Sequence, residues 1–151
     1  SILIRKYIDH FPDNPEFYKF ICHYCKLYFL YDSLAFCLSK LPTEIKNDSV
    51  FLRYYGRLAI RGGLYPDGIK IFDELINRVD CIDLDILLLA ESYMGNKDTI
   101  NFTKTLREGR ILFEKNMEIP YRLALYYYGC KDYYKANHYL KTIKTEQIDS
   151  K

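Results

Sequence analysis

The chain has 151 residues, 49% of them apolar, with 22 basic and 20 acidic side chains and a formal net charge of +2. It is long and apolar enough to bury a core, and too evenly charged to imply a polyanion partner. No apolar run approaches the roughly 18 residues of a membrane span, and the start, Ser1-Ile2-Leu3-Ile4-Arg5-Lys6, carries neither a secretory leader nor an initiator methionine; a soluble fragment of a longer protein is expected.

In chain order, Ile4, Ile8 and Phe11 make an apolar stripe on a helix that stops at Pro12-Asp13-Asn14-Pro15. Asn14 suits an N-cap and Pro15 the first helical position of the next helix. Helices follow near 16–29 and 32–41. Asp48 or Ser49 caps a helix in which Leu52, Tyr55 and Leu58 share a face with the small Gly56 and Ala59. Gly62-Gly63 breaks it, and Pro66 and Asp67 open a helix carrying Ile69, Phe72, Leu75 and Ile76. Gly56 and Gly68 let these two helices approach closely. Asp83 caps a helix with Leu84, Ile86, Leu87, Leu88, Leu89, Ala90, Tyr93 and Met94, ending before Gly95-Asn96. Its apolar residues cover more than one face, as expected of a buried central helix. A helix over 98–114 carries Phe102 and Gly109. Pro120 lies in the first turn of the next helix, Asp132 caps a last one over 133–143, and a polar tail follows at 145–151.

These elements recur. Gly56, Ala90 and Ala124 are 34 apart (90 − 56 and 124 − 90), and one step back lies Cys22. The preceding position reads Ile21, Tyr55, Leu89, Leu123, and the one three further on reads Cys25, Ala59, Tyr93, Tyr127. In the second helices a four-apart pair reads Leu34 and Leu38, Gly68 and Phe72, Phe102 and Leu106, Ala136 and Leu140.

In length and pattern this resembles the tetratricopeptide repeat. The resemblance implies an all-α fold, a right-handed α-solenoid of stacked helix-turn-helix repeats over 15–47, 48–81, 82–116 and 117–144, with 1–13 the second helix of a truncated preceding repeat. The third unit departs from the pattern. Phe102 stands where a small residue is expected and Gly109 where Leu41, Leu75 and Ile143 stand, so a locally shifted crossing is expected there.

The resemblance implies a non-enzymatic interaction scaffold, part of a larger assembly, whose first helices line a concave groove for a peptide or partner subunit. The residues off the packing stripe are Lys19, His23 and Lys26; Arg53, Arg57 and Arg61; Leu84, Leu87, Leu88, Glu91 and Met94; Tyr121, Arg122, Leu125 and Tyr128. One half of such a groove is basic and the other apolar and aromatic, suiting a segment with acidic residues at one end and apolar anchors at the other. Some family members clamp the C-terminal carboxylate of chaperones with lysines, asparagines and an arginine. Here His23 and Arg57 stand where asparagines are wanted, so that ligand is not expected. The alternative is an RNA-binding helical-repeat module, with the basic row on phosphates and tyrosines stacked on bases; the charge balance argues against it.

Five cysteines, Cys22, Cys25, Cys37, Cys81 and Cys130, an odd count spread along helices, imply a reducing compartment, cytoplasmic or nuclear. Cys22-His23-Tyr24-Cys25 lacks the second pair a zinc site needs and lies mid-helix, unlike a redox pair. It reads as buried packing. Asn47-Asp48-Ser49 and Asn101-Phe102-Thr103 read as chance sequons. With no catalytic triad order, P-loop or dinucleotide fingerprint, neither catalysis nor a cofactor or metal is expected. The tyrosines at 126–128, 133, 134 and 139 place an aromatic cluster on the last repeat, which either continues into further repeats or pairs with another copy.

Overall fold

A computed structural model describes His10 and residues 14–148, with side chains to residue 143. The helix expected over 1–13 therefore falls almost wholly outside the described residues. The described residues are all-helical, without strands. They form α1 (Pro15–Leu27), α2 (Tyr31–Lys40), α3 (Thr43–Lys46), α4 (Ser49–Arg61), α5 (Tyr65–Ile76), α6 (Asp83–Gly95), α7 (Thr99–Leu112), α8 (Glu118–Gly129) and α9 (Tyr133–Ile148). The chain divides into two compact units, Ser1–Ile71 and Phe72–Lys151.

In the first unit Asn14 caps α1, its Oδ1 accepting from the Glu16 and Phe17 amides at 3.0 and 3.2 Å, with Pro15 at the first helical position. These are the amides a helix start leaves without an internal partner. Asp48 does the same for α4 through the Val50 amide at 2.9 Å. Helix α1 packs on α2, and α2 on α4. Tyr18, Cys22, Leu34, Leu38 and Phe51 are buried between them. The Tyr55 hydroxyl donates to the Leu38 carbonyl at 2.6 Å, which fixes α4 against the end of α2. The single turn α3 is absent from the sequence reading. It follows Pro42, which presets its first dihedral, and is held by Ile45 against the core and by Lys46 Nζ on the Ser39 carbonyl.

One turn recurs through both units. Phe29, Gly63, Lys97 and Lys131 have φ of 57°, 74°, 62° and 62° and are 34 apart (63 − 29, 97 − 63, 131 − 97). The amide after each reaches back to the carbonyl five residues earlier: Leu30 to Cys25, Leu64 to Ala59, Asp98 to Tyr93 and Asp132 to Tyr127, at 2.8–2.9 Å. The left-handed residue itself donates to the carbonyl three residues back in all four turns. This is the Schellman closure, which satisfies carbonyls that a helix end would otherwise leave bare and turns the chain back. Only Gly63 announces itself in the sequence. The other three carry side chains in a region that disfavours them by about 1–2 kcal/mol.

In the second unit α6 packs on α7, α7 on α8 and α8 on α9. Ile86, Ala90, Leu106, Ile119 and Leu123 lie at its centre. The expected cap of α6 is corrected. Ile82 occupies the cap position, and the wholly buried Asp85 reaches back to its amide at 3.0 Å. Asp83 instead sits at the first helical position, accepting from the Leu84 amide and, at 2.5 Å, from Asn116 Nδ2. Asp98 and Asp132 cap α7 and α9. The Asn101 amide and side chain hold the Asp98 carboxyl below its usual range, and the Lys135 side chain and amide do so for Asp132. Helix α9 runs to Ile148 because Lys144-Thr145-Glu146-Gln147 contains no breaker; the tail expected from 145 is helical through 148.

Phe102 and Gly109, the two departures from the repeat pattern, have separate jobs. Phe102 packs its ring 5.2 Å from that of Tyr126. Gly109 marks the close approach of α7 to α6: a Cβ there would stand 2.3 Å from Cγ2 of Ile86. Between α8 and α9, Tyr127 and Tyr139 stack with planes 3° apart and centroids 5.8 Å apart. Lys135 lies 5.1 Å over the Tyr127 ring and Arg110 5.5 Å over that of Tyr139.

Two stability changes of opposite sign are expected. Gly109→Ala gains helix propensity worth about 1 kcal/mol but overpacks against Ile86, for a net loss of about 1–2 kcal/mol in urea unfolding; a midpoint at or above wild type would show that the helices do not meet there. Lys97→Gly removes the left-handed penalty and raises stability by about 1 kcal/mol; a lower melting temperature would contradict the turn geometry.

Candidate functional site

The first unit brings several of the sequence-predicted surface residues together around one cleft. The end of α1, the turn after it, the start of α2 and the middle of α4 enclose about 230 Å³ lined by Lys26, Leu27, Phe29, Tyr31, Leu34, Tyr54 and Arg57. Leu34 and Tyr54 are buried, whereas Lys26, Leu27 and Phe29 are exposed. His23 Nδ1 and the Tyr54 hydroxyl hydrogen-bond at 2.7 Å, and the two rings meet edge-to-face. The guanidinium of Arg61 lies 4.0 Å over the ring of Tyr31. Lys19, one turn and more before the cleft, is held by Glu16 at 2.8 Å. Arg53 is half-buried on α4 and does not line the cleft.

In the second unit the predicted residues separate by environment. Leu87, expected on a groove, is a core residue at 8% exposure, packed with Ile119 and Leu123. The reason is the one its helix displays in sequence: α6 is apolar on more than one face, and helices cover more than one of them. Arg122 bonds Glu118 at 2.8 Å and reaches Glu91 at 4.0 Å, linking α8 to α6. Met94, Tyr121, Leu125 and Tyr128 are exposed. Tyr121, Leu125 and Tyr128, spaced four and three apart, form a stripe on α8. The aromatic cluster of the last hairpin divides in the same way, with Tyr127 and Tyr139 stacked inside and Tyr134 86% exposed.

Sequence reasoning missed Phe29, Tyr31 and Tyr54 as cleft residues. Tyr54 precedes the stripe residue Tyr55 and carried no pattern of its own, and Phe29 lies in a turn that no glycine announces. The signal available was positional, since Phe29 stands 34 before Gly63.

In the core of the first unit Cys22, Cys25 and Cys37 are fully buried and form no disulfide. Cys37 shares a hydrogen bond with Cys25. Burial first, and then the neighbouring thiols, push Cys22 up to about 12, and Cys37 likewise. Thiols held neutral are poor nucleophiles and poor ligands. Among the described residues no group of three or more His, Cys, Asp or Glu is placed to hold a metal ion, and no helix is long and apolar enough to cross a membrane. The chain matches no protein-family model, no curated protein and no solved structure.

The thiols make stability fall in alkali. In the unfolded chain they ionise near 9.0, in the folded chain only near 12, so between these values the folded state binds more protons. Their contribution is complete below pH 9 and is lost as pH rises toward 12. Cys22→Ala should flatten the fall in unfolding free energy over that window; an unchanged slope would show that Cys22 ionises freely in the fold.

Proposed function

We propose that the chain is a right-handed α-solenoid of tetratricopeptide-type hairpins and works as a non-enzymatic scaffold, holding a peptide or a partner subunit along the first helices of its hairpins within a larger assembly. The observation that carries the reading is the fourfold hairpin turn at Phe29, Gly63, Lys97 and Lys131. A turn repeated at one interval with one hydrogen-bond pattern is what a stack of like hairpins requires, because neighbours can then bury equivalent faces.

The surface chemistry supports binding rather than catalysis. Helix α1 exposes Lys26 beside Phe20, Tyr24 and Leu27, α4 exposes Arg61 over the ring of Tyr31, and α8 exposes Tyr121, Leu125 and Tyr128 after Glu118. Aromatic side chains and arginine are the residue types that carry binding energy in protein interfaces. A triad would need a nucleophile beside a base. The one such pairing in the cleft is His23 with Tyr54, and burial pushes the Tyr54 phenol above its usual range, away from the nucleophilic form.

The test uses one change in each unit. The double variant Arg57→Glu/Leu125→Glu should melt like the wild type, both positions lying on the surface or its margin, yet retain none of the proteins that the wild type captures from nuclease-treated cell extract. Retention that disappears on nuclease treatment of the wild type, with RNA affinity falling steeply in salt, would replace the scaffold reading with RNA binding.

A further inference from the structure

We infer that the cleft between α1, α2 and α4 is a pocket for one anchor of an acidic peptide segment of a partner protein: a large apolar side chain enters against Leu34 and Tyr54, and a neighbouring Asp or Glu carboxylate lies on Lys26 and Arg57. The inference rests on the scaffold reading and narrows it to one subsite and one ligand chemistry.

Size comes first. At about 230 Å³ the cleft lies below the 300–1,000 Å³ of sites that enclose a drug-sized ligand, so it takes a single side chain. Its floor is apolar. Leu34 and Tyr54 are buried, and the one polar atom that Tyr54 brings is already bonded to His23, so an apolar group can cover the floor without stranding a donor or acceptor.

Charge follows. Among the described residues no carboxylate lies within ion-pair distance of Lys26, Arg57 or Arg61, while Lys19, at the start of α1, and Arg122, on α8, are each held by a glutamate. Cations on the margin of a pocket with an apolar floor, without an internal counter-charge, fit an acidic ligand and disfavour a basic one.

The wall supplies an independent observation. Phe29 stands at φ 57° in the turn position where the next hairpin has Gly63. A bulky side chain in the left-handed region is strained, as the lysines at 97 and 131 are too; what sets Phe29 apart is the place of its ring. Phe29 is 71% exposed, so its ring contributes little to the core that glycine would not allow. What it does is wall the cleft. A nucleobase fits less well than a peptide side chain. Arg61 already covers one face of Tyr31, and His23 and Phe51 pack against the Tyr54 ring.

A phage-displayed library of random peptides panned against the full chain, followed by titration of the enriched peptides, tests this. Enriched sequences should share a large apolar residue beside an Asp or Glu. Lys26→Glu and Arg57→Glu should each weaken their binding by about tenfold or more, with Arg57→Gln in reserve if the reversal disturbs folding. Phe29→Gly is the sharpest arm: its melting temperature should rise while its affinity falls, a divergence that a merely structural Phe29 would not produce. Enriched peptides without acidic residues, or affinities untouched by all three changes but lost in Leu125→Glu, would overturn the pocket and leave the scaffold reading standing. If no peptide is enriched the pocket is overturned as well, and salt-steep binding of an oligouridylate in that case would remove both.

Discussion

The interaction on which the rest of the structure depends is a backbone hydrogen bond: the amide of the residue after each left-handed position, closing on the carbonyl five residues earlier. It ends one helix and supplies the first carbonyl of the next, so one residue sets the direction in which each hairpin's second helix leaves its first. Leu34, Gly68, Phe102 and Ala136 each donate to the residue that made this closure, at 2.9–3.1 Å. Cores such as Tyr18 with Leu34, or Ile86 with Leu106, lie between helices reversed in this way. The left-handed residue is the costly member of the arrangement at Phe29, Lys97 and Lys131, and its repetition there without glycine means that the rest of the fold outweighs local preference.

Much of the helical plan was legible because each signal had a local cause. Asn14 before Pro15, Asp48 before Ser49 and the glycine pair at 62 and 63 act within one turn of themselves, and all three stand at helix ends as read. The errors came where a distant group decided the outcome. Asp83 has the sequence of a cap, but Asp85 is buried and takes the amide, while Asn116, 33 residues away, occupies Asp83. Leu87 has the spacing of a surface residue, and its helix is packed too widely to leave it there. The short α3 depends on the core beneath Ile45, which no window of four residues reveals.

The surface chemistry was legible only as residue types. Lys26 and Arg57 were identifiable as cations on first helices; that they share a cleft with Phe29 and Tyr31 depends on how α1 and α4 lie together, 31 residues apart at the His23–Tyr54 contact. Arg122 looks in sequence like its counterparts, yet Glu118 neutralises it at one helical turn. Two arginines of equal sequence standing thus differ in what they offer a ligand, and the difference lies in their neighbours.

The chain has sixteen tyrosines and no tryptophan, so its near-ultraviolet optical activity comes chiefly from phenol rings. Tyr127 and Tyr139, parallel to within 3° and flanked by Lys135 and Arg110, form a fixed pair whose transitions couple through space. That coupling vanishes once side chains lose their fixed packing, even where helix content survives. The last hairpin thus contains its own chromophore, able to report loss of order in the second unit without a label.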